Sequence, residues 1–126
     1  MYNLCERLYP IHRSLTGDGN RETLDIIKEH LPDLKKYEVK SGTPCFDWEV
    51  PKEWKVTHSR LTCPDGRVLC RVQDNPLNVL QYSDPVCQSM TLRDLQPHLY
   101  SDPKHPDAIP YRTSYYKRRW GFCMSQ

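Results

Sequence analysis

Three stretches of this chain carry side chains that could do chemistry. The first is Arg13 to Asn20, where Thr16-Gly17-Asp18-Gly19-Asn20 sets two glycines and good capping side chains ahead of a helical pattern. Backbone N–H groups at a helix start can hold an anion. The stretch lacks the G-x-x-x-x-G-K-[ST] spacing of a phosphate loop, and the Asp18 carboxylate would repel a phosphate, so loop and helix cap account for it. The second set is metal-ligating side chains: six cysteines (Cys5, Cys45, Cys63, Cys70, Cys87, Cys123) and five histidines. They contain no C-x-x-C, H-x-x-x-H or H-E-x-x-H, the spacings a zinc site uses. Cys63 and Cys70 stand at the two ends of a predicted hairpin, where cross-strand packing explains them. His98 and His105 fall on either side of the start of a proline-rich loop over 100–110, without a matching carboxylate or thiol partner, and read as surface residues. The third stretch, Tyr111 to Met124, holds four positive charges and no acid among aromatics. Such a mixture can stack on bases and pair with phosphates; without a second basic face, the better reading is a turn or short helix near Tyr115 to Arg119, then a buried strand Trp120 to Met124.

These groups need elements to position them, and the composition says how much core is on hand. The chain has 126 residues, 37% of them hydrophobic, with eleven prolines and a single alanine, Ala108. That length fits one domain. A chain so short buries only about two thirds of its unfolded surface even at average composition, so the core is thin. No apolar run approaches the roughly 20 residues of a membrane-spanning helix, and Glu6 and Arg7 stand where a signal peptide would be apolar; a cytoplasmic protein off the membrane is expected. Without a secreted context the cysteines are expected as thiols. Eighteen basic against sixteen acidic residues leave a net charge of +2, far from the excess of a nucleic-acid binder, so no nucleic-acid partner is expected.

Along the chain, Asn3 to Leu8 reads as a short helix, with Asn3 and Glu6 in a capping-box pattern. Leu4, Leu8, Ile11 and Leu15 recur on one side. A second helix is expected from Arg21 to about Leu31, with Leu24, Ile27 and Leu31 on one face, Ile26 beside it, Glu22 and Asp25 in the first turn, Lys28 and His30 in the last, and Pro32 as its stop. Extended pieces follow at Lys36–Lys40, Val56–Cys63, Val68–Val72 and Val79–Tyr82, with Pro64-Asp65-Gly66 as a hairpin turn. Thr43 to Trp54 reads as an aromatic loop anchored by Phe46, Trp48 and Trp54, its two prolines opposing a regular strand. A last helix capped by Thr91 is expected through Leu92, Leu95 and Leu99, short or kinked at Pro97.

Taken together, three stretches resemble a known family: LYPIHRSLTGDGNRETL over 8–24, SGTPCFDWEVPKEW over 41–54 and PYRTSYYKRRWGFCMS over 110–125. The chain resembles the N-terminal part of the bacterial aminopeptidase-like proteins, often labelled polysaccharide biosynthesis proteins, that carry a small inserted domain of unknown function. The resemblance implies an α+β chain: N-terminal helices of a peptidase-like α/β domain over 1–34, a β-rich insert with one short helix over 35–110, and a return segment over 111–126 in which Trp120 to Met124 re-enters the peptidase sheet. It implies zinc and a peptide or amino-acyl substrate for the full-length protein, and a peptidase-like C-terminal domain as the missing partner of this segment.

No residue here matches the family's metal or catalytic positions, so no cofactor is expected in this chain, and the chain alone is expected to be inactive. A hydrolytic zinc site needs about three protein ligands and a carboxylate. Arg13, Asp18, Tyr115, Tyr116 and Trp120 are candidates for a substrate-site rim in the full-length protein. The competing expectation is a self-contained β-rich module that holds a sugar or peptide on Trp48, Trp54 and the Tyr115 to Trp120 cluster. A segment cut from a larger protein should also expose apolar surface and tend to associate.

Overall fold

The computed structural model describes residues 1–13, 16–115 and 117–126. Helices and small sheets are mixed in an α+β arrangement, and the chain divides into two units, Met1–Lys55 and Val56–Gln126. The aliphatic face proposed for the first helical stretch includes Leu15, and the aromatic cluster includes Tyr116; both lie outside the described residues.

In the first unit, α1 spans Tyr2–Leu8 and starts one residue earlier than the capping pattern suggests: Met1 takes the cap position and no side chain caps the helix. Asn3 is therefore inside the first turn, where its amide cannot serve as the cap. Helix α2 spans Asp18–Lys28, earlier at both ends than expected. Glu22 and Asp25 consequently lie beyond the first turn, which holds Asp18, and Pro32 is not the residue that stops the helix. After Lys28 the backbone continues as turns, with His30 and Leu31 N–H both donating to the Ile27 carbonyl at 3.0 Å. None of the α2 side chains is fully buried, and Leu24 and Leu31 are exposed.

The expected strand Lys36–Lys40 does not form: it finds no ladder among the described residues, and Tyr37 and Val39 face solvent. A hairpin appears instead inside the aromatic loop, with β1 at Pro44–Cys45 antiparallel to β2 at Trp48–Glu49. Pro44 is tolerated because a two-stranded ladder leaves one edge of each strand without a donor requirement. The ladder is closed by Gly42 N–H to Val50 O at 2.7 Å and Val50 N–H to Thr43 O at 2.9 Å.

The second unit holds the buried core, made of Cys70, Val72, Val79, Leu80, Tyr82 and Cys123 with the polar Asn78, Gln81 and Ser114. Strands β3 (Arg60–Thr62) and β4 (Val68–Arg71) pair antiparallel about the expected turn. There Gly66 adopts φ +87° and its N–H bonds the Cys63 carbonyl at 2.9 Å, a left-handed position that suits glycine. The register sets Leu61, not Cys63, opposite Cys70, while Cys63 N–H bonds the Arg67 carbonyl at 2.8 Å. Cys63 and Cys70 thus stand at the two ends of the hairpin without facing each other in the ladder.

Val79–Tyr82 runs extended but is not a strand. It makes single bridges to Phe122 and Thr113, and Tyr82 turns to φ +63°, which ends any ladder. The Thr91 cap forms as expected, its hydroxyl accepting from Asp94 N–H. Helix α3 covers only Leu92–Leu95, because Pro97 diverts the chain into a 3-10 turn over Gln96–His98. Leu99 then belongs to β5 (Leu99–Tyr100) rather than to a helix. The apolar C-terminal stretch contributes β6 (Phe122–Cys123), parallel to β5.

Candidate functional site

In the first unit, the start of α2 is built around a close backbone approach. A Cβ on Gly19 would stand 2.1 Å from the His12 carbonyl oxygen, so only glycine lets the start of α2 settle there. Gly17 caps α2 at φ 119°. Asp18 is the first helical residue, and its carboxylate already supplies the negative charge that a helix N-terminus favours. Lys55 bonds that carboxylate and Arg21 reaches it at 3.2 Å; the Lys55 hydrogen bond is the main reason Asp18 sits below the usual carboxylate range.

Arg21 is the hub of this cluster. Besides Asp18, it donates to Glu38 at 2.9 Å and to both carboxylate oxygens of Glu53; Glu53 and Glu38 together push its guanidinium pKa up. His12 stacks at a tilt against Trp54, ring centroids 5.5 Å apart, and burial pushes its imidazole below the ordinary 6.5. Arg7 binds Glu29 through two bonds of 2.7 and 2.8 Å, fastening α1 to the end of α2. Arg13, a predicted site residue, is exposed beside His12.

In the second unit, Trp120 lies flat against His98, with centroids 3.7 Å apart and planes 11° from parallel. His98 Nδ1 stands 3.1 Å from the Trp120 carbonyl oxygen; because a carbonyl only accepts, Nδ1 carries the proton, and one indole face is covered. Directly after it, Gly121 approaches so closely that a Cβ would meet the His98 carbonyl oxygen at 2.5 Å and the Tyr100 ring at 2.6 Å. Tyr115 is exposed and holds φ +47°, in a turn where Lys117 N–H bonds the Ser114 carbonyl at 3.1 Å. Arg118 reaches Asp84 at 3.6 Å. His105 Nδ1 donates to Asp102 at 2.9 Å, so this histidine does have a carboxylate partner, which spacing alone did not reveal.

Arg13 and Asp18 thus belong to the first unit and Tyr115 and Trp120 to the second. The signals the sequence reading missed are Arg21, Glu38 and Glu53, whose pairing across 32 residues of chain follows no local pattern, and His12 against Trp54. Among the described residues, no three His, Cys, Asp or Glu side chains gather to hold a metal ion, so the residues present do not fit a zinc site. The two fully buried thiols are also poor ligands: burial raises Cys70, and pushes Cys123 up to about 11. No helix among the described residues is long and apolar enough to cross a membrane.

Comparison with known proteins places the chain within a longer relative. A Clostridium acetobutylicum protein described as "Putative polysaccharide biosynthesis protein with aminopeptidase-like domain" is 49% identical across all of this chain, which spans 29% of that relative's length. The crystal structure of a "putative peptidase" from the same organism superposes with a TM-score of 0.94 at 50% identity, covering 99% of this chain and 29% of that one. The resemblance to aminopeptidase-like proteins is therefore borne out. Residues 53–126, more than half of the chain, match the family described as Domain of unknown function (DUF2172), and the chain belongs to that family.

Proposed function

We propose that this chain is the non-catalytic N-terminal portion of a longer cytoplasmic aminopeptidase-like hydrolase, in which a peptidase-like α/β domain is interrupted by a small inserted domain. The observation that supports it most strongly is identity of 49% running across the whole chain while occupying only 29% of the relative. Zinc, the carboxylate that works with it and the hydrolytic step would then belong to the remaining sequence. The substrate would be a peptide or amino-acyl compound. Arg13, Asp18, Tyr115, Tyr116 and Trp120 would line the rim of its site, a role supported by the exposure of Arg13 and Tyr115. The self-contained sugar- or peptide-binding module is less well supported, because His98 occupies one face of Trp120 and Trp54 lies against His12.

The test is a chimera in which this chain replaces the matching segment of the Clostridium relative. The chimera is expected to release N-terminal amino acids from short peptides in a chelator-sensitive way, and the isolated chain to release none. Chelator-sensitive release by the isolated chain overturns the proposal. Arg13→Ala and Trp120→Ala in the chimera are expected to raise KM severalfold; unchanged turnover and KM would remove these residues from the rim.

A further inference from the structure

The hairpin β1–β2 presents an aromatic side chain in a way that its own unit does not explain. Phe46 is 101% exposed, at the tip of the two-residue turn between Cys45 and Trp48. Its backbone sits at φ +54°, a region where a bulky residue is a true outlier and glycine is at ease. Next to it Trp48 is 55% exposed. The open end of the hairpin is firmly held: Gly42 N–H donates to the Val50 carbonyl and Val50 N–H to the Thr43 carbonyl, Ser41 Oγ donates to the Pro51 carbonyl at 2.9 Å and Thr43 Oγ1 to the Lys40 carbonyl at 2.6 Å. A fully exposed aromatic at the tip of a hairpin tied at its base, at a backbone position better suited to glycine, lacks a stability rationale within the unit.

We infer that Phe46, with Trp48 behind it, is a plug that seats in an apolar pocket of the remaining, aminopeptidase-like part of the same longer protein. The inference rests on the proposed function above. Two observations choose this occupant. The tip is convex, whereas small-molecule sites are concave, so the partner supplies the pocket; a rigid aromatic entering a pocket is the usual anchor of a protein interface. In addition, the relative extends well beyond the 29% that this chain matches, and neither α1 nor α2 buries a side chain fully among the described residues, so this unit has faces for a larger body to cover.

The substitution Phe46→Gly separates the two roles of this position. In the isolated chain it removes no contact and relieves the backbone, so the melting midpoint should hold or rise. In the chimera with the Clostridium relative it should lower the midpoint and speed amide exchange across residues 41–51 by about tenfold or more, as loss of an interface anchor does. Opposite signs in the two settings support the plug. A chimera that melts as one body but is indifferent to Phe46→Gly overturns the plug alone. A chimera in which this segment melts separately, as it does by itself, overturns the function reading and the plug with it. A chimera that is a dimer with Phe46 and a monomer with Phe46→Gly assigns the tip to a second copy and overturns the inference. Amide exchange in the unmodified Clostridium protein needs no variant to fold: protection of the aligned hairpin above that in the segment alone supports the plug, and equal exchange overturns it.

Discussion

Replacing Gly121 by alanine tests the packing that holds Trp120 and β6 in place. The added Cβ would stand 2.5 Å from the His98 carbonyl oxygen and 2.6 Å from the Tyr100 ring, about 1 Å inside ordinary contact. The carbonyl belongs to the backbone just before β5 and cannot swing aside, so β6 has to lift. Overpacking of this kind costs about 1–3 kcal/mol. The bond from Leu80 N–H to the Gly121 carbonyl, 3.0 Å, would be strained or lost, adding about 1 kcal/mol. At roughly 4–8 °C per kcal/mol for a unit of this size, a total of about 2–4 kcal/mol lowers the midpoint by on the order of 8–32 °C in a circular-dichroism melt. Exchange of the Leu80 amide should rise more than that of β4. Gly66→Asn is the control: nothing lies within 4 Å of a Cβ there, and asparagine tolerates the left-handed backbone, so only a small shift is expected. A Gly121→Ala melt within about 2 °C of wild type, with Leu80 exchange unchanged, would refute the argument.

Other expectations follow from the ionisable groups and thiols. Arg21→Gln breaks bonds to Asp18, Glu38 and Glu53 together; the midpoint should fall in dilute buffer and the gap to wild type should shrink in high salt, since these are exposed pairs open to screening. His12 has its folded pKa below the ordinary 6.5, chiefly through burial. The unfolded chain then binds the proton first, so this contribution is fully present above pH 6.5 and is lost as pH falls through the lower folded value; melts between about pH 7.5 and 5.5 should show that slope in wild type and a flatter one in His12→Gln. Iodoacetamide at neutral pH should label the exposed Cys5 and Cys87 rapidly and leave Cys70 and Cys123, which are 1% and 0% exposed, unmodified until the chain unfolds.

What could be read in the sequence was what local chemistry decides. Pro64-Asp65-Gly66 and the Thr91 cap are complete within a few residues, and both form as expected. Errors arose where a distant partner decides. Tyr37 and Val39 alternate like a strand but meet no ladder, whereas Pro44 and Pro51 oppose a strand where a hairpin forms, closed by Gly42 N–H to the Val50 carbonyl and Val50 N–H to the Thr43 carbonyl. Cys63 and Cys70 mark the two ends of the hairpin in the sequence, but the register shift between Leu61 and Thr62, which no local pattern signals, decides that Leu61 faces Cys70. The helical pattern alone starts at Arg21, whereas α2 starts at Asp18, where Gly19 comes so close to the His12 carbonyl that only glycine fits. Of the candidate site residues, the sequence supplied Arg13, Asp18 and Trp120 by composition, but the His98 ring on Trp120 and the Arg21 hub depend on long-range geometry.

The most direct test of the central claim is zinc content and peptide hydrolysis measured side by side on the isolated chain and on its chimera with the Clostridium relative, after zinc loading and exhaustive dialysis. The account predicts substoichiometric zinc and no release of N-terminal amino acids for the isolated chain, with tightly held zinc and chelator-sensitive release for the chimera. Stoichiometric zinc in the isolated chain, together with amino-acid release that a chelator abolishes, would contradict it.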